Sequence, residues 1–208
     1  MRLVCALISA AMMCSGCGPA DPVVESAAPR SGRAEAIKLR HQILARYGDQ
    51  EQVFEGYLVL RGDALFVRAF AGPGIDLFTI RRNGARHEER AHVPGLEGRV
   101  DLEKVGADIA RCHYGGCQGG SGETRCDFYG EPLIETRDER GRLVERNFPR
   151  AHGIGLIVRY QEPRLVGGRE VARRTTLSWG DGSNELVIVT LDSELLERVE
   201  PGLLDVGQ

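Results

Sequence analysis

The densest group of reactive side chains lies in RCHYGGCQGGSGETRC, where Cys112, His113, Cys117 and Cys126 fall within fifteen residues of one another. Thiols and an imidazole at this spacing allow three chemistries. Two of the cysteines can oxidise to a disulfide, leaving the third as a thiol. The spacing does not choose among the three pairings, although Cys117 bonded to Cys126 or to Cys112 staples the Gly-rich loop and limits its entropy. The four donors are also the right types for a closed zinc site, but neither interval is a two-residue CxxC. A nucleophilic thiolate needs a basic partner that the fold positions. His113 adjoins Cys112 in sequence, where productive geometry is rare. The disulfide is the expectation.

His41, His87, His92 and His152 are scattered, and no HExxH, GxSxG or glycosidase-like carboxylate pair accompanies them. GGCQGGSG lacks the Lys-Ser/Thr ending of a phosphate loop. The pattern predicts a protein without catalysis, metal or cofactor. Arg81, Arg82, Arg86 and Arg90 in RRNGARHEER could meet phospholipid headgroups or an acidic partner. With Glu88 and Glu89 as local counter-ions, a solvated turn is the expected reading. The whole chain carries 27 Lys+Arg against 30 Asp+Glu, a formal charge of -3. Nothing draws it to a polyanion, so nucleic acid is not an expected partner. At 208 residues, 42% of them hydrophobic, it can build one substantial core and is not a disordered chain.

Arg2 precedes LVCALISAAMMC, an apolar run too short for a bilayer core that takes about 20 residues of helix. A charged start, an apolar middle and small residues after it are signal-peptide anatomy. Cys14-Ser15-Gly16-Cys17 resembles the bacterial lipobox, which implies cleavage before Cys17 and acylation of that cysteine. Several acyl chains anchor firmly where one binds only reversibly. By the same resemblance, Gly18 after the cysteine implies an outer-membrane, periplasm-facing protein. GPADPVVESAAPRSG then reads as a tether. The expected division is residues 1–16 as signal peptide, 17–33 as lipidated cysteine and tether, and 34–208 as a single domain.

AEAIKLRHQILARY, residues 34–47, places Ile37, Arg40 or His41, Leu44 and Tyr47 on one side, so the spacing predicts a helix stopped by Gly48. VFEGYLVL, ALFVRAFA, IDLFTIRR and ARHEERAHV predict a four-strand meander, with Asn83-Gly84 as the strongest hairpin signal. Asp101 is a candidate N-cap for the helix LEKVGADIARC. FYGEPLIETR and RLVERNF flank a second hairpin at Asp138-Glu139-Arg140-Gly141. GIGLIVRYQE, EVARRTTLSW and NELVIVTL are later strands, and Asp192-Ser193 is a candidate cap for a last short helix through Leu196.

Both faces of the meander are apolar. Alternate positions give Tyr57, Val59, Phe66, Phe70 and Ile75 or Leu77 on one side, and Phe54, Leu58, Leu60, Leu65, Val67, Phe78 and Ile80 on the other. An antiparallel sheet with one wet face alternates with polar residues instead. A curved, partly closed α+β sheet, wrapped around a few helices on its concave side and holding an apolar ligand, satisfies the pattern. The alternative is a dry, filled core.

Phe54, Gly56, Leu58, Leu60, Asp63 and Leu65, then Gly72-Pro73-Gly74 before LFTIRRNG, resemble the lipoprotein-localisation (LolA/LolB-like) superfamily. The resemblance covers about residues 34–112 and implies an antiparallel open β-barrel whose hydrophobic cavity holds acyl chains without catalysis or cofactor. On that basis the expected ligand is an acyl chain or the lipid of a lipoprotein client, and the membrane is a partner through Cys17. Tyr57, Val59, Phe66, Phe70 and Leu77 are the expected lining. The competing class is an envelope interaction or assembly lipoprotein with a filled core.

Overall fold

In a computed structural model of the chain, residues 25–26, 36–72, 74–96, 100–180, 182 and 184–206 are described. The signal peptide, the lipobox with Cys17 and most of the expected tether lie outside these residues. The strands run β1 Glu25–Ser26, β2 Ala36–Tyr47, β3 Gln50–Arg61, β4 Ala64–Phe70, β5 Asp76–Asn83 and β6 Arg86–Ala91. Helix α1, Leu102–His113, precedes β7 Gly122–Phe128, β8 Glu131–Arg137, β9 Leu143–Phe148, β10 Leu156–Val166, β11 Arg169–Trp179 and β12 Asn184–Leu196. They form one open sheet in the order β1-β7-β8-β9-β10-β11-β12-β2-β3-β4-β5-β6. All neighbours are antiparallel except β1, two residues of the expected tether that pair parallel with β7. The expected antiparallel open barrel is therefore present, with one α-helix among the described residues rather than several.

The meander β3 to β6 and the strands β9 to β11 follow the sequence pattern. Three segments do not. Residues 34–47 were expected as a helix, yet Ala36–Tyr47 is β2, hydrogen-bonded along its length to β12 and β3. Ile37, Leu39, His41 and Ile43 share one face, a period of two hidden within the helical spacing. In the middle of a sheet both neighbours bond this backbone, which outweighs helix propensity. Asp192–Leu196 likewise continues β12 beyond a bulge at Thr190/Asp192 instead of starting a helix. Finally, GETRCDF is a strand of its own, β7, turning at Tyr129-Gly130 into β8.

Helix α1 forms where its caps predict. The Asp101 carboxylate accepts a hydrogen bond from Lys104 N at 3.1 Å, and Leu102, Ala110 and Cys112 enter the main core. Gly106 lets the helix approach β5, since a Cβ there would lie 3.0 Å from Ile80 Cγ2. That core joins Ile37, Leu39, Leu58, Leu60, Leu65 and Ile80 on one flank to Phe128, Leu133, Phe148 and Leu177 on the other. A second, smaller cluster covers the opposite face of β3 and β4: Val59 and Ala64 with Leu204, against Phe66 and Leu203.

The carbonyls at the end of α1 are met by side chains from the sheet. Arg146 Nη1 donates to Arg111 O at 2.7 Å and to Tyr114 O at 3.0 Å, while Tyr160 OH donates to Cys112 O at 2.9 Å. Arg146 Nε donates to Glu135 Oε1 at 2.8 Å, and both side chains are buried. Gly116 runs across this pair, where any Cβ would collide with the Glu135 carboxylate and the Arg146 guanidinium. Gly116→Ala should lower stability by about 1–3 kcal/mol through overpacking. Gly115→Ala, whose Cβ meets nothing within 4 Å, should leave it nearly unchanged. Thermal denaturation of the two variants checks the contrast.

Candidate functional site

The sheet wraps the helix, and the interface between them is the candidate site. Its sheet wall is the face of β2 and β3 carrying Ile37, Leu39, Leu58 and Leu60. Its roof is α1. Toward the Tyr47 end of β2 the apolar side chains stop being fully covered. Ile43 pairs with Phe54 on β3 and with Ile188 on β12, and Ile43, Phe54, Leu186 and Trp179 all pack on the core while remaining only half-buried. Val105 and Ile109 of α1 and Leu77 of β5 are half-buried on the same core. This rim is an apolar surface left partly open between roof and wall.

Polar struts hold the roof in place. Asp108 Oδ1 accepts from Arg111 Nη1 at 2.7 Å and lies 2.9 Å from His152 Nε2, and Asp108 Oδ2 accepts from Trp179 Nε1 at 3.1 Å. Arg111 reaches on to Glu131 at 2.6 and 2.8 Å. Every member of this group has a partner, so it reads as fixation of the helix rather than as reactive chemistry.

Two histidines lie between the helix and the sheet. His41 of β2 and His113 of α1 have ring centroids 6.2 Å apart. Burial lowers His41 to a pKa of about 4, and burial with the nearby His41 and Arg146 lowers His113 to about 3. Both are neutral at pH 7. Neither ring nitrogen of His41 has a hydrogen-bond partner. His113 is surrounded by protein yet keeps part of its surface accessible. Sequence reasoning missed this pair because His41 fell on an expected helix and His113 was weighed only against the cysteines.

The expected residues distribute as follows. Cys117 and Cys126 form the disulfide, with Cα atoms 5.6 Å apart, and Cys112 is a buried thiol. The disulfide removes two of the four donors considered for zinc. Burial pushes the Cys112 thiol up, so it stays protonated and poorly nucleophilic. Leu77 lies on the helix-side core. Tyr57, Val59, Phe66 and Phe70 lie on the other face of the sheet: Tyr57 stacks on Phe70 at 5.4 Å, and Val59 and Phe66 belong to the smaller cluster under the C-terminal segment. The alternation grouped Tyr57, Val59, Phe66 and Phe70 on one face but placed Leu77 with them, and since both faces are apolar it carried no sign of which one was concave.

Two solved structures share this architecture. The LolA superfamily protein NE2245 from Nitrosomonas europaea superposes with a TM-score of 0.52 at 13% identity, over 81% of this chain and 89% of that one. A domain assigned to outer membrane lipoprotein sorting, from Vibrio parahaemolyticus, gives 0.52 at 10% identity, over 84% and 91%. At such identities the likeness concerns the fold, which is the open barrel of the LolA superfamily. No protein-family model and no curated protein matches the sequence. Among the described residues, no helix is long and apolar enough to cross a membrane.

The neutral histidines make stability depend on pH. An imidazole of the unfolded chain titrates near 6.5, above the folded values, so acid favours the unfolded state. The contribution is intact above about pH 6.5 and is lost as pH falls toward 4, by up to about 3 kcal/mol for His41 alone. Urea titrations between pH 7 and 4.5 should show a smaller acid loss for His41→Leu than for the parent. An equal loss in both contradicts the assignment.

Proposed function

We propose that the protein is an envelope lipoprotein that buries an acyl chain, either of a free lipid or of a lipidated client, between α1 and the sheet. The mechanism is shielding from water, without catalysis or cofactor. The observation that carries this reading is the half-buried apolar rim of Ile43, Phe54, Leu77, Val105, Ile109 and Leu186 around the edge of the main core. Side chains that pack on a core yet stay partly accessible leave a surface that hydrocarbon covers better than water does, at about 25 cal/mol per Å² removed from water. The LolA-like fold of the two structural neighbours, one of them assigned to lipoprotein sorting, supports the same reading.

The division into residues 1–16 as signal peptide, 17–33 as lipidated Cys17 and tether, and 34–208 as the binding domain belongs to this proposal. So does placement on the outer membrane facing the periplasm. A tether of this length reaches at most about 50 Å, enough to present the barrel to lipid or to a soluble client. Tyr57, Val59, Phe66 and Phe70, on the other face, support the sheet from outside, and Leu77 contributes to the lining.

Native mass spectrometry of the full chain carrying Cys17→Ser, which prevents acylation, tests this reading. It should copurify with lipid or take up one molecule of palmitate. Ile109→Trp, which extends from the roof into the rim, should reduce uptake about tenfold or more if a bound chain must pass there. A parent protein that stays lipid-free at saturating palmitate is a filled-core interaction lipoprotein instead.

A further inference from the structure

Segments far apart in sequence meet at the turn between β3 and β4. Gly62 O accepts from Arg169 Nη2 at 3.0 Å, and Asp63 O accepts from Gly84 N at 3.0 Å. The Asp63 carboxylate accepts from Tyr129 OH. Arg82 Nε donates to Gly84 O at 3.2 Å. Tyr114, the residue that ends α1, packs edge-on against Tyr129 with ring centroids 6.2 Å apart. The turns β5–β6, β7–β8 and β10–β11 and the end of the helix thus clasp one loop, joining the two flanks of the open sheet.

Three features of this clasp are more than folding requires. First, Tyr114 is 3% exposed and its hydroxyl has no hydrogen-bond partner. Leaving a buried hydroxyl unmatched is unfavourable, and a phenylalanine would fill the same volume without that defect. Second, Arg82 and Arg169 are half-buried and each donates to one backbone carbonyl, while neither forms an ion pair among the described residues. Their charges reach the Tyr114 phenol, and burial lowers the pKa of Arg169. Third, Tyr129 holds a φ of +52°, a conformation that side-chain-bearing residues adopt only under constraint. Its hydroxyl engages Asp63, whose carboxylate also lies near enough to Arg169 to favour its charge, while both guanidinium groups keep unused donors.

We propose that this clasp binds the anionic headgroup, phosphate or carboxylate, of the lipid that the barrel carries, with Arg82 and Arg169 as cationic donors and the Tyr114 hydroxyl as a third donor. The inference rests on the acyl-chain reading above and names the class of lipid. Guanidinium groups match oxyanions through paired N–H donors, and a partly desolvated site strengthens each bond. Apolar side chains adjoin the clasp, at the opposite end of the strands from the rim, so the tail of a bound lipid would run beneath α1 between them. Val166 pairs with Arg169 across the β10–β11 turn and is half-buried on the main core, and Tyr160 lies further along β10 under the end of α1.

Three probes separate head from tail: dodecyl phosphate, dodecanol and inorganic phosphate, titrated calorimetrically into the full chain with Cys17→Ser. Dodecyl phosphate should bind at least about tenfold more tightly than dodecanol, with the gap shrinking as salt rises. Arg82→Gln with Arg169→Gln should abolish that gap while dodecanol binding persists. Because Arg169 also braces the Gly62 turn, Tyr114→Phe is the second variant. It removes one oxygen, so melting temperature should hold or rise while dodecyl phosphate binding weakens severalfold. Phosphate binding without dodecanol binding supports the headgroup site and defeats the acyl cavity. Equal binding of dodecyl phosphate and dodecanol to the parent overturns the headgroup site and leaves the cavity standing. Binding of none of the three overturns both.

Discussion

The last turn of α1 brings its carbonyl oxygens into an apolar interior, and everything else in the structure depends on how the sheet meets them. Arg146 of β9 and Tyr160 of β10 donate to the carbonyls of Arg111, Cys112 and Tyr114, at a helix end whose dipole favours a cation. The cation is itself held by buried Glu135. Breaking such a pair by removing one member leaves an uncompensated buried charge, which typically costs about 3–5 kcal/mol. These bonds have fixed lengths and directions. They set the height of the helix above the sheet, whereas apolar contacts alone would let it settle as deep as packing allows.

Polar struts pin the helix over the sheet at fixed points. Asp108 and Arg111 repeat the device nearer the middle of α1, through Trp179, His152 and Glu131. Between these fixed points the side chains are aliphatic or aromatic, and toward one end they are only half covered. Two neutral histidines face one another inside. This combination of polar supports and half-covered apolar surface is what the proposed acyl-chain binding requires. It gives little to catalysis, since the buried Cys112 thiol is held protonated.

Much of the fold was legible because period-two patterns and turn residues act locally: the meander, its Gly84 hairpin and the Asp101-capped helix are all written within short windows. The strand Ala36–Tyr47 was not. Its residues satisfy a helical and an alternating pattern at once, and what decides is the presence of β12 and β3 on either side, partners more than a hundred residues apart in sequence. The same limit applies to the site. The cysteine cluster announced a disulfide but not its pairing, which depends on Cys126 lying in a strand beside the loop. The two apolar faces were visible, but their curvature comes from the whole sheet, so Tyr57 and its neighbours were read as the inside. The clasp, assembled from turns spread across the chain, has no sequence signature beyond the arginines of one hairpin.

Trp179, the single tryptophan of the chain, stands at the open rim with its indole N–H fixed to Asp108, and so reports on whatever enters beneath α1. A fatty acid brominated at mid-chain quenches indole fluorescence only on contact. Titration of the full protein with it should extinguish most of the Trp179 emission, while the unbrominated acid should not. Undiminished emission at saturating brominated chain would contradict an acyl-binding space under the helix.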